Sequence, residues 1–354
     1  MNRKDLLTFG ATGGAVAAAG ISDLAGMSIP LRFVSAAVAL ALLAMLIGRS
    51  TEQVGHRLSA GATGVLQSAV GNLPELFVCI FSLRAGLVDV VRAALVGSIL
   101  ANALLVFGVA IVVGGLKNGK QSFRKESARL NATMLLLAVS ALVIPTLVHY
   151  LHTPADGHIS TLSALVACVL LISFALSIPY SLRAHSGYTT SDDDATEAET
   201  AEWSMKRSVA TLVACGVLAA FVSEWFVAAL EPTIHTLGIS QAFAGFVIVA
   251  IAGNAVENVV AIQLAAKNKA DYAVSVILNS ALQVALALVP VLVLLSFVLG
   301  GPILTLVLPP LLVVGLLMTV LIVSMIVGDG ETIWLEGVPL IGLYGIIAVS
   351  LWWG

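Results

Sequence analysis

The sequence predicts an all-α polytopic membrane protein with about eleven transmembrane helices, built as two inverted five-helix repeats plus one extra N-terminal helix. Three observations support this fold class. Of the 354 residues, 59% are hydrophobic and only 10% are charged, whereas a soluble domain carries about 25% charged residues. The apolar residues fall into long runs. A short motif that contains a glutamate recurs in two of these runs.

The long apolar runs define the predicted spans, because a helix needs about 20 apolar residues to cross the hydrocarbon of a bilayer. By this measure the spans are approximately residues 6–27, 30–48, 60–83, 87–114, 128–151, 158–182, 206–230, 239–266, 270–299, 302–327 and 333–353. The predicted parts of the chain are an N-terminal helix (1–29), a first transmembrane repeat (30–182), a cytoplasmic acidic linker (183–205) and a second transmembrane repeat (206–354).

The positive charges predict the orientation. Most of the 17 Lys and Arg residues lie in alternate loops, which are expected to be cytoplasmic. The opposite set of loops keeps only Arg32, Arg84 and Arg92. We therefore expect a cytoplasmic N-terminus and an external C-terminus. The compact N-terminus and the short linker indicate a multi-pass protein of the plasma membrane.

The linker between the two halves is strongly acidic, with Asp192, Asp193, Asp194, Glu197, Glu199 and Glu202. One interpretation is a solvated connection. The other is a low-affinity surface that collects cations, or a regulatory helix.

The repeated motif relates the two halves. Residues 71–75 read Gly-Asn-Leu-Pro-Glu, and residues 253–257 read Gly-Asn-Ala-Val-Glu. The offset from 71 to 253 also places Asp89 on Asp271 and Ser98 on Ser280. Because each half has an odd number of spans, the second must be inverted. Inverted repeats are typical of secondary transporters, whose sites lie near the membrane midplane between the repeats.

The motif places a carboxylate near the middle of an apolar span, where it is costly to keep. Asn72 and Glu75 share a helix face, Gly71 permits close helix approach, and Pro74 tends to kink the helix. The neighbouring spans each add a polar turn. The candidate cation-binding residues are Gly71, Asn72, Glu75, Ser98, Asn102, Gly253, Asn254, Glu257, Ser280 and Gln283.

The candidate ligands are carboxylates, amides and hydroxyls, which suit Ca²⁺ better than Zn²⁺ or Cu⁺. Two glutamates also balance a divalent charge. Without the cation, two neighbouring carboxylates cannot both stay ionised at little cost, so we expect them to bind protons. Competition between a cation and protons is the physical basis of antiport. The alternatives are buried structural acids and helix–helix hydrogen bonds.

Two further acids open the two halves at roughly equivalent places, Glu52 after the second span and Glu224 within the seventh. We interpret them as entry or gating acids that face opposite mouths. The alternative for Glu52 is an interfacial charge beside Arg49.

At these motifs the chain resembles the calcium/proton exchanger family of the cation/calcium antiporter superfamily. The resemblance rests on both Gly-Asn-x-x-Glu copies and on residues 97–102 and 279–283. It implies Ca²⁺ export in exchange for H⁺ entry, with Glu75 and Glu257 as central ligands and with Glu52 and Glu224 on mobile helices. Pro74 departs towards the sodium/calcium exchangers, and Asn258 stands where the family often has histidine.

An Na⁺/Ca²⁺ exchanger of the same fold is the main alternative. A channel or a membrane scaffold is the alternative of a different class. The sequence shows no nucleotide fingerprint or metal-binding cysteine motif, so neither an enzyme nor a bound cofactor is expected. The expected partners are Ca²⁺ and H⁺ as transported ions and the lipid bilayer, with a possible homo-oligomer and no nucleic acid.

Overall fold

The computed structural model describes residues 3–58, 66–67, 70–186 and 202–353. Most of the acidic linker, including Asp192–Asp194, Glu197 and Glu199, lies outside the described residues. Within them the chain is almost entirely helical. The helices are α1 (Arg3–Leu24), α2 (Ile29–Gly55), α3 (Leu73–Arg84), α4 (Val88–Asn118), α5 (Lys125–Tyr150), α6 (Ile159–Ser186), α7 (Met205–Leu237), α8 (241–266), α9 (Ala270–Ser296), α10 (Pro310–Ile326) and α11 (Trp334–Trp352).

The predicted class of an all-α polytopic membrane protein is confirmed. Among the described residues, seven helices are long and apolar enough to cross a membrane, and α8 is an eighth whose axis bends within the span. The other three helices, α1, α3 and α10, fall short of that measure. The strands β1 (Gln121–Ser122) and β2 (Glu331–Thr332) form one antiparallel pair between loops.

The helix ends repeat between the two halves with the offset found in the motif. Helix α3 ends at Arg84 and α8 ends at Ala266; α4 begins at Val88 and α9 begins at Ala270. Both pairs differ by the same number of residues as Gly71 and Gly253. The repeat therefore extends from side-chain identities to the positions where helices stop and start.

Helices α4 and α9 also share an irregularity. Each contains a short π-helical segment, Ala101–Val106 in α4 and Val284–Leu288 in α9. These segments overlap along almost their whole length when the motif offset is applied. A π-segment widens one turn and is often found at functional sites. Here it includes Asn102 in α4 and directly follows Gln283 in α9. Helix α8 has a third one, Ala244–Val249.

The tenth predicted span, residues 302–327, is too long at its start, because the helix begins at Pro310. Residues before it are extended, and their backbone groups are satisfied by hydroxyls. Thr146 donates to the Leu306 carbonyl (2.8 Å) and accepts from the Leu308 N–H (2.9 Å), and Ser163 accepts from the Leu306 N–H (3.0 Å). Non-helical backbone at membrane depth is tolerated when protein groups pair with it in this way.

The chain divides into two compact units. Unit 1 comprises Met1–Phe81 and Ile172–Thr233, and unit 2 comprises Ser82–Leu171 and Ile234–Gly354. Each unit has its own fully buried side chains, such as Phe226 in unit 1. Each also draws residues from both halves of the sequence. The two units are therefore groups of residues that contact one another, and they do not coincide with the two sequence repeats. The boundaries of the repeats remain a prediction from sequence.

Candidate cation site

Within unit 2 the polar turn of α4 meets the motif of α8. Asn254 donates its Nδ2 hydrogens to Ser98 Oγ (3.1 Å) and to the Ala250 carbonyl (3.1 Å), and Asn102 donates to the Ser98 carbonyl (2.9 Å). Ser98, Asn102 and Asn254 are all at most 2% exposed. A polar contact therefore joins the two helices, and it fixes the Asn254 side chain beside α4.

Glu257 contacts the polar turn of α9. Ser280 donates its hydroxyl to Glu257 Oε2 at 2.5 Å. Ser280 is 4% exposed, while Glu257 is half-buried. The second carboxylate oxygen is not engaged by this hydroxyl. The carboxylate is thus oriented by one neutral donor, and this leaves it able to bind a cation or a proton.

Both glutamates lie where a helix axis is interrupted. In α8 the arms Gln241–Ala255 and Glu257–Ala266 meet at 68°. In the first copy Gly71 and Asn72 form a turn, and α3 begins at the next residue. Glu75 lies in the first turn of α3, where the helix dipole favours a negative charge, and Glu257 lies at the bend within α8.

The first copy of the motif belongs to unit 1. Glu75 is fully buried and Asn72 is 7% exposed. Pro74 lies in the first turn of α3, where its missing N–H costs little because the first N–H groups of a helix have no intrahelical partner. The kink predicted at this proline stays a prediction, since residues 59–65 and 68–69 lie outside the described residues. The joining of Glu75 and Glu257 in one site remains a prediction.

The remaining predicted ligands are less enclosed. Gly71, Gly253 and Gln283 are half-buried. Within the described residues there is no group of three or more His, Cys, Asp or Glu side chains that could hold a metal. Any cation site built from these residues therefore depends on amide, hydroxyl and carbonyl oxygens as well as on the glutamates.

The two predicted access acids are both exposed and lie in unit 1. Helix α2 continues beyond the predicted span to Gly55, so Glu52 lies in its last turn, whereas Glu224 lies near the middle of α7. The motif offset pairs Gly55 with Leu237, the two helix ends, and hence pairs Glu52 with Ile234. Their rough equivalence in the repeat is therefore wrong, and their role as access acids remains a prediction.

Sequence reasoning missed a close backbone contact between α4 and α8. A Cβ atom on Gly97 would lie 2.5 Å from the Phe246 carbonyl oxygen and 2.7 Å from its Cα. Helices α4 and α8 therefore touch backbone to backbone just before Ser98. The sequence did contain a signal for this contact. Gly97 directly precedes Ser98 in an apolar helix, and a glycine there allows another helix to approach closely.

Replacement of Gly97 by alanine is expected to lower the free energy of unfolding by about 1–3 kcal/mol, the typical cost of overpacking. The backbone of Phe246 cannot turn aside as a flexible side chain could. Thermal unfolding of the purified protein in detergent measures the effect. Gly315→Ala in α10 is the matched control, because its Cβ would meet Ile347 Cδ1 at an ordinary 3.4 Å. Equal midpoints for both variants would contradict the close contact.

The chain is similar to known proteins over most of its length. The model of the family described as sodium/calcium exchanger protein matches residues 28–178 and 207–353. The chain is 35% identical over 336 residues to the Ca²⁺/H⁺ antiporter of Synechocystis sp., covering 90% of each chain. It is 35% identical over 320 residues to the Ca²⁺/H⁺ antiporter ChaA of Bacillus subtilis, covering 88% of this chain and 89% of that one. The structure of native YfkE superposes with a TM-score of 0.83 at 31% identity, covering 98% of this chain and 99% of that one.

Proposed function

The chain belongs to the sodium/calcium exchanger protein family, and we propose that it exports cytoplasmic Ca²⁺ in exchange for entering H⁺. The observation that carries this proposal is the Glu257 carboxylate at the bend of α8, held by the Ser280 hydroxyl. A carboxylate in that position can exchange a cation for a proton. The similarity to proteins named Ca²⁺/H⁺ antiporters supports the choice of ions.

The second glutamate comes from the other copy of the motif. We assign Glu75 and Glu257 to one midplane site, because both are the only acids of their apolar segments and both follow a helix break. Two carboxylates balance the charge of Ca²⁺, and protons replace it when it leaves. This alternation keeps the site close to neutral in both states, which the low dielectric of the membrane favours.

Transport also requires that the site open to one side at a time. We place this alternating access in the sliding of α2 and α7 against the rest of the protein. Both helices carry an exposed acid, Glu52 or Glu224, and these acids would attract the cation at the two mouths. The expected location is the plasma membrane, with the N-terminus in the cytoplasm and the C-terminus outside.

The counter-ion is the finer point of the proposal. The family name includes exchangers that use sodium. A proline at the position of Pro74, just before the glutamate, is also a feature that this chain shares with sodium/calcium exchangers. The polar turn of α9 nevertheless has Gln283 followed by Val284, without the additional acid expected of a sodium-coupled site. This favours protons.

Ion-swap flux in proteoliposomes distinguishes these possibilities. With the cytoplasmic face outward, we expect Ca²⁺ uptake to be driven by an acid interior and to be indifferent to a sodium gradient at constant pH. Ca²⁺ uptake that follows only the sodium gradient would show that the counter-ion is Na⁺ and not H⁺. Ca²⁺ conductance without counter-transport would contradict an antiporter altogether. Protein-free vesicles are the control for passive leakage.

A further inference from the structure

A buried tryptophan joins the ends of three helices in unit 1. Trp203 lies two residues before α7, at the end of the acidic linker, and is only 1% exposed. It is among the largest fully buried side chains of the described chain. A tryptophan is not needed two residues before a helix for that helix to begin. The burial of Trp203 therefore has another cause.

The C-terminal end of α2 holds the backbone of Trp203. Its N–H donates to Gln53 Oε1 at 3.0 Å, and its carbonyl accepts from the Arg57 guanidinium at 2.7 Å. Arg49, one turn earlier, lies with its guanidinium carbon 5.5 Å from the indole centroid. Arg49 and Gln53 lie one turn apart on the same face of α2, and Arg57 follows two residues after the helix ends.

Helices α1 and α7 hold the indole ring. Its Nε1–H donates to Asp5 Oδ2 at 2.9 Å. Asp5 is 1% exposed and forms ion pairs with Arg49 of α2 (2.7 Å) and Arg207 of α7 (3.7 Å). The guanidinium of Arg207 lies 4.4 Å from the indole centroid, and Phe9 of α1 packs 5.4 Å away. Cation–π contacts strengthen as they are desolvated; here the indole is buried, and the Arg49 and Arg207 side chains are 28% and 29% exposed.

We propose that Trp203 is a positioning residue that keeps α2 and α7 in step during transport. The Trp203 pin, defined as Trp203 with Asp5, Arg49, Gln53, Arg57 and Arg207, ties both helices and α1 together at one end. The inference rests on the proposed function, in which α2 and α7 move. If one helix moved without the other, the two mouths would not open in alternation.

The pin is distinct from the other link between α1 and α2. Near the short turn that joins these helices, Arg32 pairs with Asp23, and the hydroxyls of Ser22 and Ser35 are 2.8 Å apart. That link does not include α7. A variant there therefore weakens the same helix pair and leaves the connection to α7 in place, which makes Asp23→Asn the matched control.

The test combines a distance with a rate. Spin labels at His56→Cys and Lys206→Cys, both exposed positions, report the separation of α2 from α7 after the native cysteines are replaced. Trp203→Ala is expected to broaden the distance distribution. It is also expected to slow Ca²⁺ exchange at saturating Ca²⁺ by about tenfold per folded molecule, with the half-saturating Ca²⁺ concentration unchanged. Trp203→Phe, which keeps a ring beside Arg207 but loses the donor to Asp5, should fall between.

An unchanged distance distribution or an unchanged maximal rate in Trp203→Ala would overturn the proposal, as would an equal effect of Asp23→Asn. If Trp203→Ala does not fold, Asp5→Asn, which keeps the side-chain size, must give the same broadening or the proposal fails. Failure of the proposed function looks different, because the wild-type protein would then show no Ca²⁺/H⁺ exchange at all.

Discussion

Replacement of Glu257 by glutamine is expected to reduce Ca²⁺/H⁺ exchange by a hundredfold or more, and Glu75→Gln is expected to do the same. Glutamine keeps the size of the side chain but cannot balance the cation or take up a proton. Loss of one charged partner in a buried pair typically costs about 3–5 kcal/mol, which is more than two factors of ten in affinity or rate. Proton-coupled Ca²⁺ uptake into vesicles is the measurement.

Glu126→Gln is the control for this change. Glu126 lies exposed in the first turn of α5, and no polar contact of its side chain is found among the described residues. This variant should exchange like the wild type. If either Glu75→Gln or Glu257→Gln kept wild-type exchange, the assignment of that glutamate to the site would be wrong.

Ser280→Ala is expected to raise the Ca²⁺ concentration for half-maximal transport by about ten- to a hundredfold. The serine hydroxyl holds Glu257 Oε2, and a hydrogen bond to a charged group contributes about 1.5–3 kcal/mol. Without it the carboxylate loses its fixed orientation towards the site. Initial rates of Ca²⁺ uptake over a range of Ca²⁺ concentrations measure the change.

Ser275→Ala is the matched control, because Ser275 precedes Ser280 on the same helix, is half-buried, and has no side-chain hydrogen bond with the described residues. Its half-saturating concentration should be that of the wild type. Equal values for Ser280→Ala and the wild type would show that the hydroxyl does not prepare Glu257 for the ion.

Much of the fold could be predicted from sequence because membrane spans are long and apolar. The resemblance to calcium/proton exchangers, which rested on two short motifs, is confirmed by the family match. The start of α10 at Pro310 was missed because residues 302–309 are as apolar as a span, although Pro309 and Pro310 are typical of a helix start. Only the three-dimensional structure brings the hydroxyls of Thr146 and Ser163 to that backbone.

For the candidate site, the sequence indicated residue types but not the geometry of their contacts. The contacts of Ser98 with Asn254 and of Ser280 with Glu257 follow the motif. The bend of 68° in α8 occurs without a proline, so no residue type signalled it. The position of Glu52 relative to α2 depends on where that helix ends. The apolar run predicted an end at residue 48, whereas α2 continues to Gly55.

The central claim is that the two motif copies form one site, and the stoichiometry of Ca²⁺ binding tests it most directly. Equilibrium dialysis of the purified protein with radioactive Ca²⁺ at alkaline pH counts the bound ions per chain. We predict one Ca²⁺ per chain for the wild type and none at the same concentration for either Glu75→Gln or Glu257→Gln. Two bound ions in the wild type, with one remaining in each single variant, would show two separate sites and contradict the claim.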